Sequence, residues 1–269
     1  MLIRTWNLFH GNTKPPQRRA FLDEMLTLAT ADHPDVLCLQ EVPAWALGEL
    51  GDRVGMREVH ALAARPVLGP VPIPALVGRA LTAPNHGLFR SAFAGQGNSI
   101  LLRASLRVVH EETLVLNPRR FRDGQARWLE LDWVARLAWG KERRVCQAVR
   151  IELADRRTMV IANMHCTSYP PDQRLPDAEL LRAATFADAF AEPDEILVLA
   201  GDLNTSYLRS RTLHDLCGPE WGFSSAGPGI DHVLVRGAAA PPVRRWPDAR
   251  RERDGRLLSD HAPVEVDVL

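Results

Sequence analysis

The sequence is poor in lysine, so that nearly all its cations are arginines, and it has no excess of charge, which argues against a general nucleic-acid-binding protein. Lysine occurs only at Lys14 and Lys141, and the 33 basic and 33 acidic side chains give a formal net charge of zero over 269 residues. Proteins that bind nucleic acid regardless of its sequence are more often basic. The balance disfavours that class but leaves room for a local basic patch.

Cysteines and long apolar runs are also scarce. The chain has four cysteines, with no Cys-x-x-Cys pair and no disulfide-like spacing. No run of about 18 apolar residues predicts a transmembrane span. The first residues lack the basic start and apolar stretch of a signal peptide. We therefore expect a cytoplasmic protein with reduced thiols, a monomer by default, although its oligomeric state is left open.

Hydrophobic periodicity predicts strands that alternate with a few amphipathic helices. No repeat, low-complexity segment or linker divides the chain, so we expect a single α/β domain over residues 1–269, built from layered sheets with flanking helices. The predicted helices cover 18–31, 45–50 and 176–190. The predicted strands cover 2–9, 36–39, 99–102, 106–115, 146–153, 159–164, 195–200, 230–235 and 264–269.

Two segments need separate interpretation. Residues 66–97 combine prolines and glycines with apolar side chains, which predicts a long ordered loop that packs on the body and shapes a binding site. Residues 121–139 carry tryptophans between groups of arginines. They fit a helix that packs on the core, or an aromatic and basic surface for nucleic acid or a membrane.

The most informative pattern is an apolar strand that ends in polar residues. A buried carboxylate is costly unless it is paired or bound to a metal, so several such strand ends together imply a cation or a shared proton. The pattern occurs at Asn7, Glu41, Asn163 with His165, Asp202 with Asn204, Asp231, and Asp260 with His261.

These side chains suit the hydrolysis of a phosphoester. Glu41 and Asp260 offer hard anionic oxygens and Asn7 an amide oxygen, a set that fits Mg²⁺ or Mn²⁺ better than zinc. His165 and His261 suit opposite sides of the phosphorus. One would activate water, and the other would protonate the leaving oxygen or stabilise the developing charge.

Seven short motifs then form a family resemblance. In chain order they are TWNLFHG, LCLQEV, GNSILLR, ANMHCTS, LAGDLNT, IDHVLV and SDHAPV. Each is weak alone, but the ordered set resembles the endonuclease/exonuclease/phosphatase superfamily, which includes pancreatic-type DNases, abasic-site endonucleases, sphingomyelinases and inositol polyphosphate 5-phosphatases. The resemblance implies a DNase-like, four-layered α/β sandwich of two packed mixed β-sheets flanked by helices.

The resemblance also implies roles for the metal side of the site. Glu41 would be the principal metal ligand, with Asn7 close to it and Asp260 as the other carboxylate. Asp202 and Asn204 would orient the attacking water and contact the phosphate or a second metal.

The histidines receive roles in the same way. His261 would lie beside the scissile phosphate with Asp231 as its orienting partner, and His165 resembles the second histidine of the DNase and sphingomyelinase branches. Abasic-site endonucleases carry a tyrosine in place of His165, which disfavours that branch. DNase-like members pair this histidine with a glutamate, but residues 85–98 contain no acid, so its partner is left open.

Further candidates have a weaker basis. The predicted substrate-binding residues are Asn98, Asn163 and Arg253, the last in an arginine-rich stretch before Ser259. Cys166 and His232 are interpreted as structural. The remaining histidines fit no constellation and are predicted to have no catalytic role: His10, His33, His60, His86, His110 and His214.

The sequence therefore predicts a Mg²⁺- or Mn²⁺-dependent hydrolase of phosphoester bonds, in which water attacks phosphorus in line. Its expected partner is a phosphoester substrate, with nucleic acid as one candidate, and the expected activity is that of a nuclease or phosphodiesterase. Two alternatives are left open. One is a phosphatase or phospholipase-like enzyme acting on a lipid or a small molecule. The other is a non-catalytic binding module of the same fold.

Overall fold

The computed structural model describes residues 1–224, 226–239 and 241–268, without the side chains of residues 91 and 92. The predicted strand end at residue 269 lies outside this range. The strands are β1 Leu2–Asn7, β2 Thr13–Lys14, β3 Val36–Val42, β4 Met56–Ala64, β5 Val67–Leu68, β6 Val71–Pro72, β7 Gln96–Arg103, β8 Arg107–Val115, β9 Val145–Glu152, β10 Thr158–His165, β11 Ile196–Asp202, β12 Asp231–Arg236, β13 Arg244–Arg245, β14 Glu252–Arg253, β15 Arg256–Leu258 and β16 Val264–Asp267.

The helices lie between these strands and at the rims of the sheets. They are α1 Leu22–Thr30, α2 Leu50–Val54, α3 Ala75–Thr82, α4 His86–Phe93, α5 Arg119–Trp128, α6 Trp133–Gly140, α7 Arg174–Phe190, α8 Arg211–Leu216 and α9 Asp248–Arg251, with a 3-10 turn at Phe9–Gly11. In the part of the chain that the structure describes, no helix has the length and apolar character needed to cross a membrane.

Two mixed sheets form the centre of the molecule. The six-stranded sheet has the order β13-β16-β1-β3-β7-β4, and the five-stranded sheet has the order β12-β11-β10-β9-β8. Their facing sides share one apolar core that includes Ile3, Ile100 and Val198. Helix α1 covers the outer face of the first sheet, and α7 and α8 cover the outer face of the second. The predicted four-layered α/β sandwich is confirmed.

Strand direction brings distant residues to one edge of this sandwich. β1 runs parallel to β3, and β10 runs parallel to β11, so each pair of strands ends together. The register places His165 beside Asp202, and Asp202 beside Asp231. Parallel pairing brings Asn7 close to Glu41, and His165 close to Asp202, because parallel strands share their carboxyl ends. Asp231 reaches the same edge because it begins β12, which runs antiparallel to β11.

Polar side chains join the two sheets beneath that edge. The Gln40 amide nitrogen donates to Oδ1 of Asn163 at 2.7 Å, and the Asn163 amide nitrogen donates to the carbonyl oxygens of Leu39 and Ser99. Gln40, Asn163, Leu39 and Ser99 are all fully buried. Each of the three hydrogen bonds crosses from one sheet to the other. A buried polar network of this kind fixes how the sheets are placed relative to each other.

Residues 66–97 are not the long loop that the sequence predicted. They contain the β5–β6 hairpin and helices α3 and α4. The prolines mark helix beginnings: Pro74 is the N-cap of α3, and Pro84 precedes Asn85, whose side chain accepts from the Leu88 amide and caps α4. Proline is well tolerated at a helix start, where its missing N–H group costs no hydrogen bond.

Two helix predictions also need correction. The predicted helix at 45–50 is a turn, and the helix begins only at Leu50. The segment 121–139 is not one helix but two, because Asp132 caps a new helix by accepting from the Ala135 amide at 2.7 Å. Strand β4, which the sequence analysis did not predict, completes the first sheet.

Arg4, on β1 of the first sheet, is fully buried and lies at the centre of an ion-pair network. Its guanidinium donates to Glu265 at 2.5 and 2.8 Å and to Asp32 at 2.6 and 2.8 Å. Arg4 also lies over the ring of Trp246, whose indole N–H donates to Glu265. The network links β1 to α1 and to β16.

We expect Arg4→Met to lower the free energy of unfolding by about 3–5 kcal/mol, because it leaves two carboxylates without their buried partner. Chemical denaturation with urea measures the change. The matched control is Arg107→Met, which removes an exposed arginine paired with Glu152 and should cost less than about 1 kcal/mol. Equal effects of the two substitutions would contradict the importance of this network.

Candidate active site

Asp202 lies at the centre of the site. It ends β11 and is 1% exposed. Its Oδ2 accepts from the amide nitrogen of Asn7 at 2.9 Å, and its Oδ1 accepts from the backbone N–H of Asn204 at 3.0 Å. Burial raises the pKa of Asp202 to about 7, so near neutral pH this carboxyl group both accepts and releases a proton readily.

Asn204 holds the turn that follows this strand. Its backbone adopts a left-handed conformation with φ at 51°, and its side-chain amide donates to the carbonyl of Cys166 at 2.9 Å. Asparagine tolerates this conformation better than most residues do. The turn places the backbone N–H of Asn204 against Asp202, so the two residues act as one unit.

His261, in the turn between β15 and β16, pairs with Asp231, the first residue of β12. The Nδ1 atom of His261 lies 2.9 Å from Oδ2 of Asp231, and its Nε2 lies 3.8 Å from Oδ2 of Asp202. Burial of the ring disfavours its charge, but the hydrogen bond to Asp231 and the charges of Asp202, Asp231 and Asp260 outweigh burial. Together they raise the pKa of His261 to about 10. The ring is therefore protonated at neutral pH.

The hydroxyl group of Ser259 holds the backbone of His261 in place. It donates to the carbonyl of Asn7 at 2.6 Å and accepts from the backbone N–H of His261 at 3.0 Å. The backbone of Ser259 is left-handed, with φ at 63°. The indole N–H of Trp6 also donates to the carbonyl of His261 at 2.9 Å. The His261 backbone is thus held, directly and through Ser259, by Trp6 and Asn7 at the carboxyl end of β1.

His165 occupies the opposite side of Asp202 and has a different charge. Its Nε2 lies 3.5 Å from Oδ2 of Asp202 and 3.8 Å from Oε1 of Glu41. The Nη1 atom of Arg144 lies 2.9 and 3.1 Å from the two ring nitrogens, so the guanidinium lies over the ring. Burial and the charge of Arg144 lower the pKa of His165 well below its ordinary value, and the ring is neutral at pH 7.

The metal-side residues lie on the more open part of the site. Glu41 has a left-handed backbone with φ at 50°, and its Oε1 accepts from the amide of Asn7 at 3.2 Å. The Asp260 side chain is 33% exposed. Burial raises the pKa of Asp260; the charge of His261 opposes this shift and that of Glu41 adds to it.

The structure also shows neighbours that the sequence analysis missed. His10, predicted to have no catalytic role, has its Nε2 3.4 Å from Oε2 of Glu41, and His86 supports it through a 2.7 Å contact with its carbonyl oxygen. The charges of Glu41 and Asp260 partly offset the lowering of the Arg90 pKa by burial. His10 lies within the motif TWNLFHG, so its position was a usable signal. Arg90 and Arg144 belong to no motif at the site.

The three predicted substrate-binding residues do not join this cluster. Asn98 and Asn163 are at most 1% exposed. Asn98 donates to the carbonyl of Val145 at 3.1 Å, and Asn163 takes part in the hydrogen bonds between the sheets. Arg253 lies on exposed β14 and donates to the carbonyl of Glu252. His232 faces away from the site, where its Nε2 contacts the Thr205 carbonyl at 2.9 Å.

The donor set fits a divalent cation. Ligand atoms of Asp202, Asp231 and His261 all lie within 4.8 Å of one another. In that group, Nδ1 of His261 is already engaged by Asp231. Glu41 and Asp260 add carboxylates whose mutual repulsion a cation would relieve. The Asn7 amide nitrogen faces the carboxylates, while its Oδ1 accepts from the Phe9 N–H at 2.9 Å.

The fold and these residues define a phosphoesterase site. The model of the Endonuclease/Exonuclease/phosphatase family matches residues 5–261, and the chain belongs to that family, whose members are mostly metal-dependent phosphoesterases. The predicted resemblance is confirmed. A search of curated proteins found no match.

Solved structures show the same fold at low sequence identity. The human Nocturnin catalytic domain with bound sulfate is 15% identical, with a TM-score of 0.68 over 100% of this chain and 93% of that one. Humanised D. rerio TDP2 is 14% identical, with a TM-score of 0.65 over 100% and 98%. The Bacteroides thetaiotaomicron mannosyl-6-phosphatase is 12% identical, with a TM-score of 0.62 over 100% and 99%. These similarities establish the fold and leave the substrate open.

We expect Asp231→Asn to lower the pKa of His261 from about 10 towards the ordinary histidine value of about 6.5. The substitution removes both the charged acceptor and one nearby negative charge. An NMR titration of the imidazole resonances in the metal-free protein measures the shift. Asp155→Asn, which removes an exposed carboxylate paired with Arg157, should leave the His261 pKa unchanged. An unaltered titration in Asp231→Asn would refute the pairing.

Proposed function

We propose that the protein is a divalent-metal-dependent hydrolase of phosphodiester bonds in which water attacks phosphorus in line. The observation that carries this proposal is the position of Asp202, a buried carboxyl group whose pKa is raised to about 7 and which lies beside two histidines, one protonated and one neutral. A general base works best when its pKa is close to the working pH.

Asp202 is the proposed base that removes the proton of the attacking water. Asn7 and the backbone N–H of Asn204 each hold one of its oxygens, which limits its rotation. The neutral His165 on one side adds no positive charge of its own and leaves the pKa of Asp202 high. This arrangement supports a water that is oriented before it is deprotonated.

His261 is the proposed electrostatic group at the phosphate. Its protonated ring is fixed by Asp231 through Nδ1, so the N–H at Nε2 is free to donate to a phosphoryl oxygen. A fixed cation is most effective where negative charge develops in the transition state. The low pKa of His165 argues against this second histidine as the general acid, because a neutral imidazole has no proton to spare at pH 7.

Glu41 and Asp260, with Asn7 beside them, are the proposed ligands of Mg²⁺ or Mn²⁺. Oxygen donors of this type suit both ions. When bound, the cation would neutralise charge on the phosphate and the leaving oxygen. The Nε2 atom of His10 lies 3.4 Å from Oε2 of Glu41 and would hold that carboxylate in a single orientation, as outer residues commonly do for metal ligands.

We expect Asp202→Asn and His261→Gln each to lower kcat by about 10²–10⁴-fold in the Mg²⁺-dependent hydrolysis of bis-p-nitrophenyl phosphate. Both variants should keep the unfolding free energy of the wild type within about 1–2 kcal/mol. EDTA should abolish the wild-type rate, and added Mg²⁺ or Mn²⁺ should restore it.

The matched control is His110→Gln, because this exposed histidine contacts only Glu112 and the ring of Phe190 among the described residues and lies on the edge strand β8. It should keep the full rate. Near-normal rates in both site variants would remove the proposal. A folded wild-type protein without metal-dependent activity on any phosphodiester would instead favour the non-catalytic binding module.

A further inference from the structure

Three insertions leave the sheets at the edge that carries the site. Residues 66–95 connect β4 to β7, whose partners Ala64 and Gln96 pair at that edge. Residues 116–144 connect β8 to β9 after the pair Val115 and Val145. Residues 203–230 connect β11 to β12 after Asp202. The site is therefore surrounded by segments that are additions to the two sheets.

These insertions carry most of the exposed large apolar side chains. Among the residues that the structure describes, twelve of the fourteen such side chains lie in them, and only Val109 and Leu181 lie elsewhere. We call the twelve the apolar rim: Val67, Leu68, Val71, Leu76, Val77, Leu88, Trp128, Trp133, Val134, Leu137, Tyr207 and Leu208. Single exposed apolar residues are ordinary, but their concentration around one edge indicates an interaction surface.

The two larger insertions are also basic in a chain of zero net charge. Residues 66–95 contain two arginines and no acidic residue, and residues 116–144 contain eight basic and four acidic residues. Exposed basic residues lie in the same insertion as the exposed tryptophans. Arg127 precedes Trp128 in the sequence, and Lys141 follows α6. These two insertions together carry a formal net charge of +6, and the rest of the chain carries −6.

We propose that the apolar rim docks the site edge onto the surface of a lipid bilayer that contains anionic headgroups. Leucine, valine and tryptophan are the side chains that insert at the boundary between headgroups and acyl chains, and basic residues beside them are attracted to anionic lipid. The rim is mostly aliphatic. Nucleic acid instead selects aromatic side chains that stack on bases, so a bilayer is the better match.

The geometry gives this docking a consequence for the site. The insertions leave the sheets at the edge that carries Asp202 and His261. When the protein is bound to a bilayer through the apolar rim, its site therefore faces the headgroup layer, where phosphoesters are abundant. The docking does not require the proposed hydrolysis, so it is tested without metal and apart from any measurement of rate.

The test is co-sedimentation of the full chain with vesicles in EDTA. We expect binding to vesicles of phosphatidylcholine with phosphatidylserine, and weaker binding to phosphatidylcholine alone. The double variant Leu76→Ser and Leu88→Ser should bind about a hundredfold more weakly, because each inserted leucine contributes about tenfold. The matched control, Val109→Ser with Leu181→Ser, should bind like the wild type.

Tryptophan emission locates the contact. Trp128 and Trp133 are 79% and 72% exposed, so docking should shift wild-type emission to shorter wavelength, and Trp128→Phe with Trp133→Phe should remove that shift. Failure of the folded wild type to bind either vesicle would overturn the proposal. An equal loss of vesicle binding in the rim variant and the control variant would also overturn it. So would single-stranded DNA that displaces the protein from vesicles and binds the wild type and the rim variant equally well.

Discussion

A carboxylate buried at the junction of two sheets is the constraint on which the site depends. Asp202 has almost no contact with solvent, and a buried anion is costly unless it is hydrogen-bonded, paired or protonated. The Asn7 amide, the N–H of Asn204 and the charge of His261 offset that cost. These three groups come from different segments of the chain. The sheets must therefore keep their relative position, and the Gln40–Asn163 hydrogen bond beneath the site holds it.

The same burial divides two similar histidines into different roles. His261 lies against Asp231 and gains a proton, whereas His165 lies against Arg144 and loses one. Both rings are largely buried, so burial alone does not distinguish them; the sign of the nearest charge decides. Asp202 lies between a cation and a neutral ring, which keeps its pKa in the range where proton transfer to and from water is efficient.

Much of the fold and the central site could be predicted because their signals are local. Each of Glu41, Asp202 and Asp231 lies in or next to a short apolar strand within a recognisable motif. The pairing of these strands then brings the three side chains to one edge. The insertions could not be predicted in this way. Prolines were interpreted as breaks in residues 66–97, although a proline at a helix start is structurally neutral. The contact between Arg144 and His165 depends on the antiparallel pairing of β9 and β10, and no spacing in the sequence encodes it.

Net charge has a related limit as a predictor. A total of zero disfavours a general nucleic-acid-binding protein, but the total is a sum over regions that the fold separates. The two basic insertions lie around the site edge, and the acids that balance them lie in other segments of the chain. Electrostatic attraction acts over about 8 Å at physiological salt, a distance shorter than the molecule. An approaching anionic surface therefore senses the edge and not the average, and the composition of each insertion is the physically relevant quantity.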